Sequence, residues 1–218
     1  MALAIFDLDN TLISDDSDHL WGEFMATHGL VDAESFRQGN DYFYQEYVKG
    51  TLDLYQHLAF CLEPLTRYTM AELNSWRARF MDEIIHPVML PKGHELIKQH
   101  QEQRDHTMII TATNRFVTEP IAKAFGVDTL LAIDLEVVDN QYTGRITGPP
   151  TYQEGKVTRL KKWLLDHPEH SLDGSTFYSD SKNDLPLLEA VTHAVAVDPD
   201  EVLKNTAKER GWRTISLR

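Results

Sequence analysis

In Leu3-Ala4-Ile5-Phe6-Asp7-Leu8-Asp9-Asn10-Thr11, four apolar residues end abruptly in acidic and polar ones. An apolar run of this length predicts a buried parallel strand. Taken alone, Asp7 and Asp9 would fit an acidic turn after that strand. Open parallel sheets, however, collect their chemistry at the carboxyl ends of the strands. The stretch therefore predicts a strand that delivers two carboxylates to one edge of a sheet.

Further apolar runs alternate with helical patterns along the chain. The predicted strands are residues 107–110, 129–133, 175–178, 194–197 and 213–217. The helical patterns cover residues 92–104, 115–125, 156–166, 185–191 and 201–210. Gly126 is placed to end the second of these helices, and residues 136–146 predict a hairpin, a small flap on the core. This alternation predicts an α/β fold, a Rossmann-like three-layer core with a parallel sheet.

One long segment, from about residue 18 to residue 85, contains no convincing strand. Its patterns predict a bundle of about four helices, at residues 19–28, 33–49, 52–61 and 70–85. Pro87 and Pro91 mark the point at which predicted strands and helices begin to alternate again. We therefore expect a core domain of residues 1–15 and 87–218 and an inserted helical-bundle cap of residues 16–86. The aromatic residues of this bundle are expected to pack in its core: Trp21, Phe24, Phe36, Tyr42, Phe43 and Tyr47.

The composition limits the classes of partner. A formal net charge of −13 over 218 residues argues against nucleic acid or an anionic membrane as a partner, since both repel an acidic surface. No apolar run approaches the ~20 residues that span a bilayer, and Asp7 and Asp9 interrupt any signal-peptide pattern. The single cysteine, Cys61, excludes an intrachain disulfide and is expected in the core. We expect a cytoplasmic protein, either a monomer or a homodimer.

A second acidic group follows another predicted strand, in Asp180-Ser181-Lys182-Asn183-Asp184. Asp180 at the strand end and Asp184 one turn later can both reach towards Asp7. Carboxylates crowded together raise one another's pKa unless a divalent cation holds them. Ligands that are all oxygen select a hard ion, Mg²⁺. Zinc is disfavoured because the ten histidines show no H-E-x-x-H or comparable spacing.

Two further residues could neutralise a phosphate at the same edge. Thr111 ends a predicted strand where a helix begins, so its hydroxyl and the neighbouring backbone N–H groups would stabilise an anion. Lys156, at the start of another helix, could reach the same oxygens. Considered alone, Lys156 would instead be a solvated lysine.

The order Asp-x-Asp-x-Thr, Thr, Lys and Asp-x-x-x-Asp resembles the four motifs of the haloacid dehalogenase-like hydrolase superfamily, over essentially the whole chain. A helical insert directly after the first motif resembles the subgroup that contains phosphoserine phosphatase, subfamily IB. Residues 110–116 and 177–186, together with the other motifs, look most like bacterial members of that subgroup assigned as histidinol-phosphatase.

The resemblance implies a role for each motif. Asp7 would be the nucleophile that becomes an aspartyl phosphate, and Asp9 the general acid and then the general base. The phosphoryl oxygens would be held by Thr111, Ala112 and Lys156. Mg²⁺ would be bound by Asp7, by the backbone carbonyl of Asp9 and by Asp180, with support from Asn183 and Asp184.

The substrate is harder to identify than the reaction. Asp16 stands where phosphoserine phosphatases have the glutamate that receives the substrate's amino group, but it could equally cap the first helix of the insert. Arg37 is a candidate for a substrate carboxylate and Arg115 for the phosphate, and either could be a surface residue. The resemblance favours an amine-bearing phosphorylated metabolite, L-histidinol phosphate. The alternatives are phosphoserine or another small phosphate ester, a phosphotransferase reaction, and a non-catalytic binding protein.

Overall fold

A seven-stranded sheet forms the centre of the molecule. The computed structural model describes residues 2–218. Its strands are β1 (Leu3–Phe6), β2 (His106–Asn114), β3 (Thr129–Val138), β4 (Gln141–Thr147), β5 (Thr176–Ser179), β6 (His193–Val197) and β7 (Arg213–Ile215). The strand order is β4-β3-β2-β1-β5-β6-β7. β4, at one edge, runs antiparallel to β3, and the other pairs are parallel.

The helices fall into two groups. The first group follows β1 and comprises α1 (Ser17–Thr27), α2 (Ala33–Lys49), α3 (Leu54–Leu62), α4 (Met70–Phe80) and α5 (His86–Val88). The second group alternates with the later strands and comprises α6 (Pro91–Glu102), α7 (Arg115–Phe125), α8 (Glu154–Asp166), α9 (Leu185–Leu188) and α10 (Glu201–Arg210). Over residues 2–218, each helix is too short or too polar to cross a membrane.

β1 lies in the middle of the sheet and contributes side chains to both of its faces. Leu3 and Ile5 belong to the hydrophobic cluster that includes residues of α8, α9 and α10. Ala4 and Phe6 belong to the opposite cluster, which includes residues of α6 and α7. All four are at most 1% exposed. Burial on both faces explains the unbroken apolar run and confirms the predicted three-layer α/β core.

The helical segment Ser17–Val88 leaves and re-enters the sheet at one narrow neck. The backbone N–H of Ser14 donates to the carbonyl of Val88 at 2.9 Å, and that of Leu90 donates to the carbonyl of Leu12 at 3.0 Å. The two chain crossings therefore lie side by side. We propose this neck as the boundary between cap and core, close to the division expected from the sequence.

Aromatic packing joins the cap to the core. The ring of Trp21 lies 5.4 Å from that of Phe24, 5.2 Å from Phe80 and 5.4 Å from Phe116. Phe116 lies on α7, so the apolar interior of the cap continues into that of the sheet. The expectation that all the cap aromatics pack in its core is wrong for Tyr42, which is 58% exposed.

The predicted hairpin forms, but it is part of the main sheet. β3 continues from the parallel sheet into the hairpin, and β4 pairs with it as the edge strand. The side-chain amide of Gln141 donates to the carbonyl of Thr66 in the cap at 3.0 Å. The segment is therefore a sheet edge that contacts the cap rather than a separate flap on the core.

Candidate active site

The chain leaves β1 at Asp7, in the centre of the sheet edge. The backbone N–H of Asp7 donates to the carbonyl of Tyr178 on β5 at 2.9 Å, so strand-like pairing continues one residue further. Asn10 then takes a left-handed φ of 58°, which asparagine tolerates better than most residues. This turn keeps the side chains of Asp7 and Asp9 buried at the same edge, 3% and 7% exposed.

Lys156, in the first turn of α8, is the buried cation of the site. Its Nζ lies 2.7 Å from Oδ1 of Asp7 and 2.8 Å from Oδ2 of Asp184, and the lysine is 2% exposed. Burial alone would lower the pKa of this lysine, but the carboxylates of Asp184 and Asp7 outweigh burial and raise it. Lys156 is thus a fixed positive charge and not the solvated lysine considered as an alternative.

Asp9 accepts three hydrogen bonds that fix its carboxyl group. The backbone N–H of Ser17 donates to Oδ1 at 2.7 Å. The hydroxyls of Thr113 and Thr111 donate to Oδ2 at 2.9 and 3.2 Å. Burial raises the pKa of Asp9, with these hydrogen bonds opposing the shift. The result is a single orientation for a carboxyl group that holds a proton more readily than a free aspartate does.

The end of β5 brings the second acidic group to Asp7. Oδ1 of Asp180 accepts a hydrogen bond from the Thr11 hydroxyl at 2.9 Å. Oδ2 of Asp184 accepts one from the Ser179 hydroxyl at 2.7 Å. Burial, opposed by Lys156, raises the pKa of Asp7 to about 7, and burial beside Asp7 raises that of Asp180 well above its usual range. The carboxylates predicted to converge do lie together, with more negative charge than Lys156 alone balances.

The end of β2 supplies the polar backbone beside Asp9. The Thr111 hydroxyl accepts a hydrogen bond from the backbone N–H of Thr113 at 3.1 Å, and the Thr111 carbonyl accepts one from the Thr151 hydroxyl. Ala112 lines the cavity above this edge. Thr111 is therefore a fully buried part of the strand end, held from two sides.

A cavity that is partly open to solvent separates this edge from the cap. Asp7 and Asp9 lie on the core side, and Asp16, at the start of α1, lines it as well. The Asp16 carboxylate accepts hydrogen bonds from the backbone N–H groups of Asp18 and His19, at 3.0 and 2.9 Å. Asp16 is thus both the N-cap of α1 and a cavity residue. The remaining lining combines polar, aromatic and aliphatic side chains: Asp18, His19, Asn40, Phe43, Tyr44, Tyr47, Leu52, Leu54, His57, Ala112, Thr113 and Tyr152.

The structure does not bring the two arginine candidates to this cavity. Arg37 lies on the outer side of the cap, where its Nε donates to Glu23 at 2.9 Å. Arg115 donates to Asp134 at 2.5 Å and contributes nothing to the cavity lining. Both side chains instead form ion pairs with carboxylates that do not line the cavity.

Several residues of the site were not predicted from the sequence. Thr113 and Ser17 hold Asp9, while Ser179 and Thr11 hold the second acidic group. Phe43 and Tyr47 line the cavity, contrary to the expectation that they pack in the cap core. A hydroxyl next to each motif was the available signal, since Thr113 follows Thr111 by two residues and Ser179 precedes Asp180. Nothing in the spacing of the cap aromatics marked those that face the cavity.

Comparison with known proteins agrees with this geometry. Residues 4–189 match the haloacid dehalogenase-like hydrolase family. The chain is 44% identical to a histidinol-phosphatase of Neisseria meningitidis serogroup C, over 99% of both chains. It is 30% identical to a phosphoserine phosphatase of Mycobacterium tuberculosis, covering 100% of this chain and 71% of that protein.

A solved structure shares the whole fold. A crystal structure of a protein of unknown function from Bordetella pertussis Tohama I matches with a TM-score of 0.93 and 42% identity, covering 100% of this chain and 99% of that one. The relatives with a stated activity act as phosphatases, and the motifs that carry the resemblance meet at one sheet edge. The chain belongs to the haloacid dehalogenase-like hydrolase family and is a phosphatase, a phosphoric monoester hydrolase.

Proposed function

We propose that this phosphatase acts through an aspartyl-phosphate intermediate on Asp7. The observation that carries the proposal is the contact of 2.7 Å between Asp7 and the buried ammonium of Lys156. This contact orients the carboxylate and places a positive charge where phosphoryl oxygens would bind. An Asp7 oxygen attacks phosphorus as the ester oxygen leaves. Water then attacks the same phosphorus and releases phosphate and the free carboxylate.

Asp9 is the proposed source and acceptor of the proton. Burial raises its pKa, so the proton-donating form persists to higher pH than in a free aspartate. Ser17 and Thr113 hold the carboxyl group in one orientation. Asp9 protonates the leaving alkoxide in the first step and takes a proton from the attacking water in the second. The phosphoryl oxygens are assigned to Thr111, Ala112 and Lys156.

Mg²⁺ is the proposed cofactor, held by Asp7, the backbone carbonyl of Asp9 and Asp180, with support from Asn183 and Asp184. These donors are all oxygen, which suits a hard cation. The raised pKa values of Asp7 and Asp180 fit carboxylates whose charge is normally balanced by a cation. When bound, Mg²⁺ would neutralise charge on the phosphoryl oxygens. The chain itself orients these acids through Lys156 and Thr11.

The proposed substrate is a small phosphate ester that carries an amine, with L-histidinol phosphate as the best candidate. Oδ1 of Asp16 accepts both helix N–H groups, so Oδ2 is available to a ligand. Burial, with the charges of Asp9 and Asp18, raises the pKa of Asp16 well above its usual range. A substrate ammonium group would relieve this repulsion. The 44% identity to a histidinol-phosphatase supports the same choice.

The charge of the cavity separates the two amine-bearing candidates. Within residues 2–218, the cavity lining contains four aspartates and neither lysine nor arginine, and the neighbouring cation, Lys156, is already paired with Asp7 and Asp184. Phosphoserine carries a carboxylate that would have no cationic partner there, and burying an unpaired charge is costly. Histidinol phosphate has an amine and an imidazole ring but no carboxylate. The aromatic residues Phe43, Tyr44 and Tyr47 suit that planar ring.

A substrate comparison tests this proposal directly. With Mg²⁺ present, we expect kcat/KM to be highest for L-histidinol phosphate, lower for phosphoserine and lower for an aryl phosphate without an amine. Asp16→Asn should lower the value for histidinol phosphate by about 10- to 100-fold, because a charge-assisted contact contributes about 1.5–3 kcal/mol. The same change should alter aryl phosphate hydrolysis by less than about threefold, because that ester makes no such contact.

A matched control is available on the next cap helix. Asp32 is the N-cap of α2 as Asp16 is of α1, but it is absent from the cavity lining. Asparagine caps helices about as well as aspartate, so both variants should fold and Asp32→Asn should keep wild-type specificity. Equal losses on all substrates in Asp16→Asn, or a preference for phosphoserine, would contradict the proposed substrate.

The second candidate is phosphoserine, supported by the 30% identity to a phosphoserine phosphatase. A phosphotransferase reaction is a third, and it differs only in the acceptor of the second step. An assay with an added alcohol distinguishes phosphotransfer from hydrolysis, because transfer would yield a new phosphate ester in place of inorganic phosphate.

A further inference from the structure

Three side chains of different chemistry meet in the cap, on the cap side of the cavity that also contains Asp7 and Asp9. Asp18, His57 and Cys61 each place one metal-binding atom within 4.8 Å of the others. Nε2 of His57 lies 2.9 Å from Oδ2 of Asp18. The three residues come from two helices, since Asp18 lies in the first turn of α1 and the other two lie on α3.

The local structure places these three side chains close together. His57 and Cys61 are four residues apart on α3, so they lie on the same face of that helix, one turn apart. The amide of Asn114, from the core, donates to Oδ1 of Asp18 at 3.3 Å and leaves Oδ2 for the cluster. Support of this kind, from a residue behind the ligand, is common in protein metal sites.

The cluster has unused capacity to bind a ligand. Nδ1 of His57 is buried and has no hydrogen-bond partner in the described part of the chain. Sγ of Cys61 is buried and makes one hydrogen bond, to the carbonyl of Leu58 at 3.7 Å; a thiol is a weak donor, so metal binding would give up little there. A buried imidazole nitrogen without a partner is uncommon in folded proteins. Asp18 and His57 also line the cavity, so a fourth ligand could reach the cluster from there.

We propose that Asp18, His57 and Cys61 form a second metal site, which binds a zinc-class transition-metal ion and clamps α1 to α3. A thiolate, an imidazole and a carboxylate are the ligands such ions prefer, whereas Mg²⁺ avoids sulfur and nitrogen. Ligand atoms on one tetrahedral zinc ion lie about 3.5 Å apart, given bond lengths of about 2.0–2.3 Å. The three atoms, which lie within 4.8 Å of one another, would have to move to that spacing when the ion binds. Binding would release the thiol proton of Cys61 to solvent.

Cobalt provides a site-specific test of this proposal. Co²⁺ occupies zinc sites, and a cysteine thiolate bound to it gives a charge-transfer absorption band in the near ultraviolet. Cys61 is the only cysteine of the chain, so the band can come from no other site. We expect titration of the full-length protein with Co²⁺, in excess Mg²⁺, to produce this band at one ion per chain, and Zn²⁺ to abolish it.

Two histidine variants distinguish a metal ligand from a histidine that does not bind the metal. His57→Ala keeps the thiol and should weaken Co²⁺ binding by at least about 10-fold. His86→Ala, which removes an exposed cap histidine beside Asp82, should leave the titration unchanged. Zn²⁺ in excess Mg²⁺ should also raise the melting temperature of the wild type by a few degrees, and that of Cys61→Ser much less. A wild type without the band, or an unchanged titration in a folded His57→Ala variant, would overturn the proposal.

Discussion

The sheet edge and the cap place their functional side chains in different ways. At the edge, Asp7 directly follows β1, Asp180 directly follows β5, and Lys156 lies in the first turn of α8. Their positions follow from where strands and helices begin and end. In the cap, Asp16 lines the cavity while Arg37 pairs with Glu23 outside it, although both belong to the same insert. There, position depends on how whole helices pack.

The proposed reaction therefore depends on local structure, whereas the substrate specificity depends on how distant segments pack. The groups proposed to react are fixed by short segments whose pattern is visible in the sequence. The groups that would recognise the substrate are fixed by packing between distant segments, such as the Trp21 cluster that joins α1, α4 and α7. Substitutions at the edge should therefore affect all substrates, and substitutions in the cap should be selective or neutral.

The largest effect is expected at the edge itself. Asp7→Asn should lower Mg²⁺-dependent hydrolysis of an aryl phosphate by at least about 10⁴-fold, because an amide cannot serve as the nucleophile. Asp198→Asn is the matched control, since Asp198 also follows a strand but accepts a hydrogen bond from Leu217 instead. A metal-dependent rate close to wild type in Asp7→Asn would refute the covalent mechanism.

Lys156→Met should reduce both activity and stability. Loss of the cation should lower kcat by about 10²–10³-fold, as for other preorganised charges in active sites. It also leaves two buried carboxylates without their partner, which should lower the free energy of unfolding by about 3–5 kcal/mol. Lys161→Met, on the exposed side of the same helix, is the control for both measurements. An intact kcat in folded Lys156→Met would remove the lysine from the site.

Thr113→Val tests a residue that the sequence did not reveal. It removes the hydroxyl that donates to Asp9 at 2.9 Å and should lower kcat roughly 10-fold for every substrate, with little change in KM. Thr118→Val removes another buried threonine hydroxyl, which donates to the carbonyl of Asn114 within α7. The Thr118→Val control should retain the wild-type kcat. A change in KM alone would contradict the assignment of Thr113 to Asp9.

Asp134 offers a pH-dependent test of the role of Arg115. Burial acts to raise the pKa of Asp134, but hydrogen bonds from Arg159 and Arg115 outweigh it and lower the pKa below its usual value. A lowered pKa contributes stability above about pH 4 that is lost as the pH falls through the folded-state pKa. At pH 7, Asp134→Asn should therefore lower the melting temperature by about 2–4 °C, corresponding to about 1 kcal/mol for a partly exposed group.

At low pH, the difference in melting temperature between the wild type and Asp134→Asn should be smaller. As Asp134 becomes protonated, the wild type loses the contribution that the variant already lacks, so the two melting temperatures should converge. Activity at pH 7 should stay close to wild type, because the contact lies outside the cavity. A difference in melting temperature that grows on acidification would contradict the lowered pKa of Asp134. It would also refute the assignment of Asp134 as the partner of Arg115.

The smallest effect is expected on the outer side of the cap. Arg37→Ala removes a half-exposed ion pair with Glu23, which contributes at most about 1 kcal/mol. We expect kcat/KM for histidinol phosphate and phosphoserine to stay within about twofold of wild type. A selective loss of phosphoserine hydrolysis in Arg37→Ala would show that this arginine reaches the substrate after all.

Much of the fold was predictable because its signals are local. The helix Arg115–Phe125 was predicted at both ends, since Asn114 caps its start and Gly126 takes a left-handed φ of 69° at its end. β2 was predicted only as residues 107–110 but extends to Asn114. Its pairing with β3 shifts register after Ile110, and single-strand periodicity cannot reveal such an irregularity. That extension carries Thr113 to Asp9.

The α/β class, the helical insert and the acids, threonine and lysine of the sheet edge are predictable from the sequence. They depend on the spacing of apolar residues and on where strands end and helices begin, and neighbouring residues encode these features. The folded chain was needed to show that Lys156 is buried between Asp7 and Asp184, that Asp16 lines the cavity, and that Asp18 contacts His57. These contacts join residues far apart in the chain, and their free energy depends on burial and charge that no short segment specifies.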